Sequence, residues 1–181
     1  MLYNVAQLLK QGVSASRKRE VSGDLCDIDE WNPGAVQVSG QVVLIRTPRG
    51  VLAKGTAKLQ LNRPCRRCLQ VTSSEVTFDF EEEFLPSIDI ETGATLPIGD
   101  ADDPDLFIDE HHVLDLTEVL RQYALATGES NGLCREDCRG LCPVCGKDLN
   151  EGPCGCDRSH ADPRMAVLAG LLGSLIDDDA Q

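Results

Sequence analysis

Val71-Thr72-Ser73-Ser74-Glu75-Val76-Thr77-Phe78-Asp79-Phe80-Glu81-Glu82-Glu83-Phe84 alternates between apolar and acidic residues. Val76, Phe78 and Phe80 fall on one side, and Glu75, Thr77, Asp79 and Glu81 fall on the other. A period of two marks a half-buried strand, with one face on a core and the other in water. Working backward, Val51–Leu61 sets Ala57, Leu59 and Leu61 against Lys58 and Gln60, which predicts a second strand. Ala35–Arg46 is rich in Val and Ile and predicts a third, with Thr47-Pro48-Arg49-Gly50 as the connecting turn. The three runs read as an antiparallel meander whose second turn holds Pro64-Cys65-Arg66-Arg67-Cys68.

Working forward, residues 86–110 contain Pro, Gly and Asp with little periodicity and read as an acidic loop. A helix is predicted from Asp115, which stands to Glu118 as in a capping box. Leu116, Val119, Leu120, Tyr123 and Ala124 then share one helical face, the ordinary pattern of core packing, and Gly128 supplies a stop. Asp162 as N-cap, Pro163 at the first helical position and Met165–Ile176 predict a last helix, apolar on nearly every side. The expected class is α+β: an antiparallel β-meander sheet or partial barrel with flanking helices and a C-terminal cysteine-rich zinc module. The expected division is an N-terminal segment 1–34, a sheet domain with acidic loop and helix at 35–128, and the cysteine-rich module with its helix at 129–181.

Composition narrows the function. Apolar residues make up 41% of the 181, enough for a core, and aromatics only 4%, so that core rests on Val, Leu, Ile and Ala. The N-terminal residues lack the charged region and small-residue cleavage site of a signal peptide. The longest apolar run, Met165–Ile176, is 12 residues, against the roughly 20 needed to span a bilayer. A soluble, cytoplasmic protein is expected, with no membrane partner. Net charge is −13, and Glu75–Glu118 holds fifteen Asp and Glu without one Lys or Arg. Nucleic acid is repelled by such a chain overall, because phosphate neutralisation dominates that binding. A basic protein partner is electrostatically easier.

Nine cysteines in a chain without an export signal point to metal or redox chemistry more than to disulfides. Cys26 lies apart and reads as a buried or incidental thiol. Between Cys134 and Cys156 there are six: Cys134, Cys138, Cys142, Cys145, Cys154 and Cys156. Cys142-Pro143-Val144-Cys145-Gly146 has the form of a zinc knuckle, and Cys65–Cys68 repeats the CxxC spacing. Zinc takes four such thiolates in a tetrahedron, so eight cysteines make two sites, or one if only a single set forms. The local pairing groups Cys142, Cys145, Cys154 and Cys156, because short loops keep closure entropy low. Cys65 and Cys68 then meet Cys134 and Cys138. The rival is a zinc ribbon joining Cys65 and Cys68 to Cys142 and Cys145. Iron–sulfur ligation is chemically open, since four thiolates suit either metal.

Other residues offer less. His111-His112 sits in the acidic loop with no third ligand near it in sequence, and His160 is at most an auxiliary ligand. There is no phosphate-binding glycine loop, no nucleophile elbow and no thioredoxin-like setting for a redox CxxC, so no catalysis and no small-molecule substrate is expected. A redox-released zinc chaperone without ribosomal specificity is the alternative function that the thiols alone allow.

The order of these features resembles a known family. Cys65-Arg66-Arg67-Cys68-Leu69 follows a strand pair, then come Phe80-Glu81-Glu82-Glu83-Phe84 and a helix led by Asp115-Leu116. Leu133-Cys134-Arg135-Glu136-Asp137-Cys138-Arg139-Gly140-Leu141-Cys142-Pro143-Val144-Cys145-Gly146, Leu149-Asn150, Cys154-Gly155-Cys156 and Asp162-Pro163-Arg164 complete it. Across residues 35 to 172 the chain is similar to the YceD family, the large-ribosomal-RNA-subunit accumulation proteins. The resemblance implies a non-catalytic role in accumulation of large-subunit rRNA, through ribosome assembly or rRNA processing. Its implied partners are a large-subunit ribosomal protein, an rRNA precursor, or both. Arg63, Arg66, Arg67, Arg135 and Arg139 are the expected RNA or partner contacts; the competing reading is that they pair only with acidic neighbours.

Overall fold

The computed structural model describes residues 1–97, 103–128 and 132–157. The predicted helix over 162–176 and His160 lie outside them. Two compact units divide the chain, Met1–Glu136 and Asp137–Gln181.

The first unit is built on the three predicted strands. They form as β3 (Ala35–Arg46), β4 (Val51–Pro64) and β5 (Val71–Pro86). Their antiparallel register sets Val38 opposite Leu59 and Ala57 opposite Phe78. Along β5 the alternation read from sequence holds: Val76, Phe78, Phe80 and Phe84 are buried, while Glu75, Asp79 and Glu81 are exposed. Segment 1–34 adds three elements before them: β1 (Leu2–Asn4), a short helix α1 (Ala6–Leu9) and β2 (Ser16–Cys26). β2 pairs along its whole length with β3, from Ser16 opposite Ile45 to Cys26 opposite Ala35.

Two short strands follow in the acidic region, β6 (Phe107–Ile108) and β7 (Val113–Asp115). β6 runs parallel to the end of β5, so the five-stranded sheet β2-β3-β4-β5-β6 is mixed rather than wholly antiparallel. The reason is the connection from 87 to 106. It is long enough to carry the chain back and re-enter in the same direction, which a tight hairpin cannot do. β7 pairs separately with β1.

The sheet curls into a half-barrel, and glycine permits the close approach of its middle strands. A Cβ on Gly40 would meet the Thr56 carbonyl oxygen at 2.1 Å, and one on Gly55 the Gln41 oxygen at 2.2 Å. Glycine inside a strand commonly marks such a site of backbone approach. The core face is closed by α2 (Thr117–Gly128). Leu116, Val119, Leu120 and Ala124 are buried, and the Tyr123 ring lies 6.2 Å from Phe78 and 6.4 Å from Phe80. Each fully buried Leu or Val contributes about 1.5–3 kcal/mol, so this stripe is what holds the helix on the sheet.

The helix start differs from the expected box. Asp115 does cap, accepting the Thr117 N–H at 2.9 Å. Glu118 instead turns forward to Arg121, at 2.6 and 2.8 Å, and that guanidinium lowers its carboxyl pKa. Among the described residues no helix is long and apolar enough to cross a membrane.

Candidate metal centres

The two CxxC segments fold into the same turn. In the first, which joins β4 to β5, the Cys65 N–H donates to the Gln70 carbonyl at 2.9 Å and the Leu69 N–H to the Cys65 carbonyl at 2.9 Å. In the second, the Cys142 N–H donates to the Lys147 carbonyl at 2.8 Å and the Gly146 N–H to the Cys142 carbonyl at 2.8 Å. Both turns close with a residue in the left-handed region, Leu69 at φ 63° and Gly146 at φ 72°. The second turn caps a small hairpin, in which Leu141 bridges Asp148 and the Leu149 N–H donates to the Gly140 carbonyl at 2.9 Å.

These turns deliver eight thiols into two groups. Cys65, Cys68, Cys134 and Cys138 form one, and Cys142, Cys145, Cys154 and Cys156 the other; within each, all sulfurs lie within 4.8 Å of one another. This is the local pairing read from loop closure, and the ribbon joining Cys65 and Cys68 to Cys142 and Cys145 is not formed. None of the nine cysteines is in a disulfide. The Cys68 and Cys134 sulfurs are 3.6 Å apart, far beyond the roughly 2.05 Å of a disulfide. Four sulfurs about 2.3 Å from one tetrahedral ion stand about 3.8 Å from each other, so each set suits a single thiophilic ion such as zinc. A multi-iron cluster spreads its thiolates across its own width and fits this spacing less well.

Electrostatics favours a cation at both places. Burial opposes ionising Cys65, but the backbone N–H groups of Cys134, Cys68 and Arg67 point at its sulfur and bring the thiol down to about 6. Backbone N–H groups of Cys145 and Val144 lower Cys142 in the same way. Cys156 moves oppositely: its S–H donates to the Cys145 sulfur, burial adds to the effect, and the thiol is pushed up to about 12. Crowded thiolates resist losing the last proton, and a divalent cation among them removes that resistance.

The sets differ in exposure. Cys65, Cys68 and Cys138 are buried, whereas Cys145 is exposed and Cys154 and Cys156 are half-buried. Asn150 supports the first set. Its Nδ2 lies 3.5 Å from the Cys138 sulfur, and its Oδ1 accepts the Arg139 N–H at 2.8 Å. Sequence reasoning assigned Asn150 no role; the only signal was its place in the motif shared with the YceD family.

The arginines do not share one environment. Arg63 is ion-paired with Asp29, their side chains only 12% and 17% exposed. Arg66 and Arg67 are exposed on the first turn, and the Arg66 N–H donates to the Gly132 carbonyl. Arg135 and Arg139 are exposed beside Cys134 and Cys138. Cys26 is exposed at the end of β2. Neither His111 nor His112 joins a metal-ligating group among the described residues.

A mixed half-barrel sheet and two four-cysteine sets within one chain define a cysteine-rich protein with two candidate metal centres. The profile of the large ribosomal RNA subunit accumulation protein YceD matches residues 53–172, and the chain belongs to this family. It is also 32% identical over 124 residues to proteins described as uncharacterized from Mycobacterium bovis and Mycobacterium tuberculosis strain H37Rv. That alignment covers 68% of this chain and 56% of each relative, so the chain spans little more than half their length. No solved structure matches it significantly.

Proposed function

We propose that the protein is a non-catalytic zinc-binding factor, cytoplasmic, that supports accumulation of large-subunit rRNA through ribosome assembly or rRNA processing. Membership of the YceD family over 53–172 carries the ribosomal part. The two four-thiol sets support the zinc part, since structural zinc sites are closed by four protein ligands and leave no position for a substrate.

The partner is a large-subunit ribosomal protein, an rRNA precursor, or both. Glu75, Asp79 and Glu81 on the outer face of β5 are exposed to a basic protein. Glu81 already contacts Lys54 at 2.6 Å, but an exposed pair of this kind is weak and easily exchanged. Arg66 and Arg67 on the first cysteine turn, with Arg135 and Arg139, are the exposed arginines that would contact phosphate. Arg63 is ion-paired with Asp29, which argues for a role in the fold.

The test is a native pull-down of the tagged protein from its host, reading RNA and protein together. Enrichment of large-subunit precursors with ribosomal proteins supports the reading. A mixed set of unfolded clients, with binding switched on by peroxide as zinc leaves, supports the redox-sensing chaperone instead. The exposure of Cys145 favours that second reading, because oxidant reaches the second set first.

A further inference from the structure

Two arginines of the edge strand share the alternation of buried Val21 and Leu25, with Arg17 half-buried and Arg19 exposed. On β2, Arg17 and Arg19 lie opposite Leu44 and Val42, both buried, while Lys18 between them takes the outer face. Arg17 and Arg19 line a cavity of about 90 Å³ with Asn4, Gln7, Leu8 and Leu44. The Nε of Arg17 is buried and has no hydrogen-bond partner. Arg19 donates from Nη1 to the Lys18 carbonyl at 3.1 Å. Among the described residues neither guanidinium has a carboxylate within ion-pair distance. With 30 Asp and Glu against 17 Lys and Arg in the chain, a shortage of acids does not explain this.

A buried donor on a cation is costly to leave unbonded, so Arg17 Nε favours a partner entering this cavity. On the same volume measure one water needs roughly 10–15 Å³. The cavity therefore has room for several waters or one phosphoryl group.

We propose that this cavity is an oxyanion site that takes a single phosphoryl group. Arg17 supplies a planar fork of donors suited to phosphate oxygens, and Arg19 supplies the second positive charge. Asn4 and Gln7 line the same cavity, and the Asn4 Oδ1 accepts the Ala6 N–H at 3.2 Å. Asn4 Nδ2 bonds the His111 carbonyl at a long 3.4 Å, a contact it can exchange for a phosphate oxygen. The competing explanation is that inward-pointing charge guards the exposed edge of the sheet against pairing with other chains. Guarding needs charge alone and predicts no ligand. The proposal does not rest on the zinc or ribosomal reading, and its failure would leave metal content and the pull-down result unchanged.

The experiment is calorimetric titration of the full chain with inorganic phosphate at fixed ionic strength, beside Arg17→Gln, Arg17→Lys and Lys18→Gln. Lys18→Gln removes the same charge from the opposite face and controls for non-specific attraction. Saturable binding, weakened about tenfold or more in both Arg17 variants and kept in Lys18→Gln, is the expected result. Arg17→Lys keeps the charge, so it carries the test if Arg17→Gln fails to fold. A short RNA bearing a 5′-phosphate, compared with its 5′-hydroxyl form, then identifies the source. Displacement of phosphate by the phosphorylated RNA alone gives an RNA terminus, and no displacement by either gives free phosphate. No saturable binding, or equal weakening in Lys18→Gln and the Arg17 variants, would overturn the site.

Discussion

Leu69 and Gly146 hold the same position in two copies of one turn: each follows its CxxC pair directly and adopts a left-handed backbone, at φ 63° and 72°. Glycine takes that conformation freely, but a residue with a Cβ is strained there by about 1–2 kcal/mol. Leu69 is also 64% exposed, so burial returns little of that cost. Leu69→Gly should stabilise the metal-loaded protein by about 1 kcal/mol, and Gly146→Val should destabilise it by at least about as much. Thermal unfolding with zinc present reads both. A lower midpoint for Leu69→Gly would mean that its side chain makes a contact worth more than the strain.

Arg63 and Asp29 make a second contrast, with Lys54 and Glu81. The first pair is mostly buried and the second is more than half exposed. Arg63→Ala removes that counter-charge while Asp29 keeps the Trp31 and Asn32 donors, and should cost about 1.5–3 kcal/mol. Lys54→Ala should barely move the unfolding midpoint. Comparable small effects from the two variants would return Arg63 to the set of surface arginines available to RNA.

Asn150 predicts an effect confined to one centre. Groups that bond to metal ligands commonly matter 10–100-fold in affinity, so Asn150→Ala should weaken metal binding at the Cys138 set by about that factor. The Cys142 set should be unaffected. Chelator competition, followed separately in variants retaining one set, measures this. Equal affinity in the variant would make the contact between Asn150 and Cys138 incidental.

What was legible in the sequence follows from where the information lies. β4, β5 and α2 could be read because each buries one regular face, so Ala57, Leu59 and Leu61 or Leu116, Val119 and Leu120 recur at the period of their element. β2 could not, because it is an edge strand whose inward positions include Arg17, Arg19 and Gly23, which hide the alternation. The parallel pairing of β6 involves two residues brought back by a long connection, and no local pattern marks it. The thiol grouping was legible from loop closure. The fate of Arg63 was not, since it depends on Asp29 in another part of the chain.

Two separate four-thiolate zinc centres in this chain are tested most directly by counting zinc with native mass spectrometry. The unaltered chain should carry two zinc ions. Cys154→Ser with Cys156→Ser should carry one, and Cys65→Ser with Cys68→Ser should carry one. A zinc-free wild type, or loss of both ions from either double variant, would contradict two independent centres.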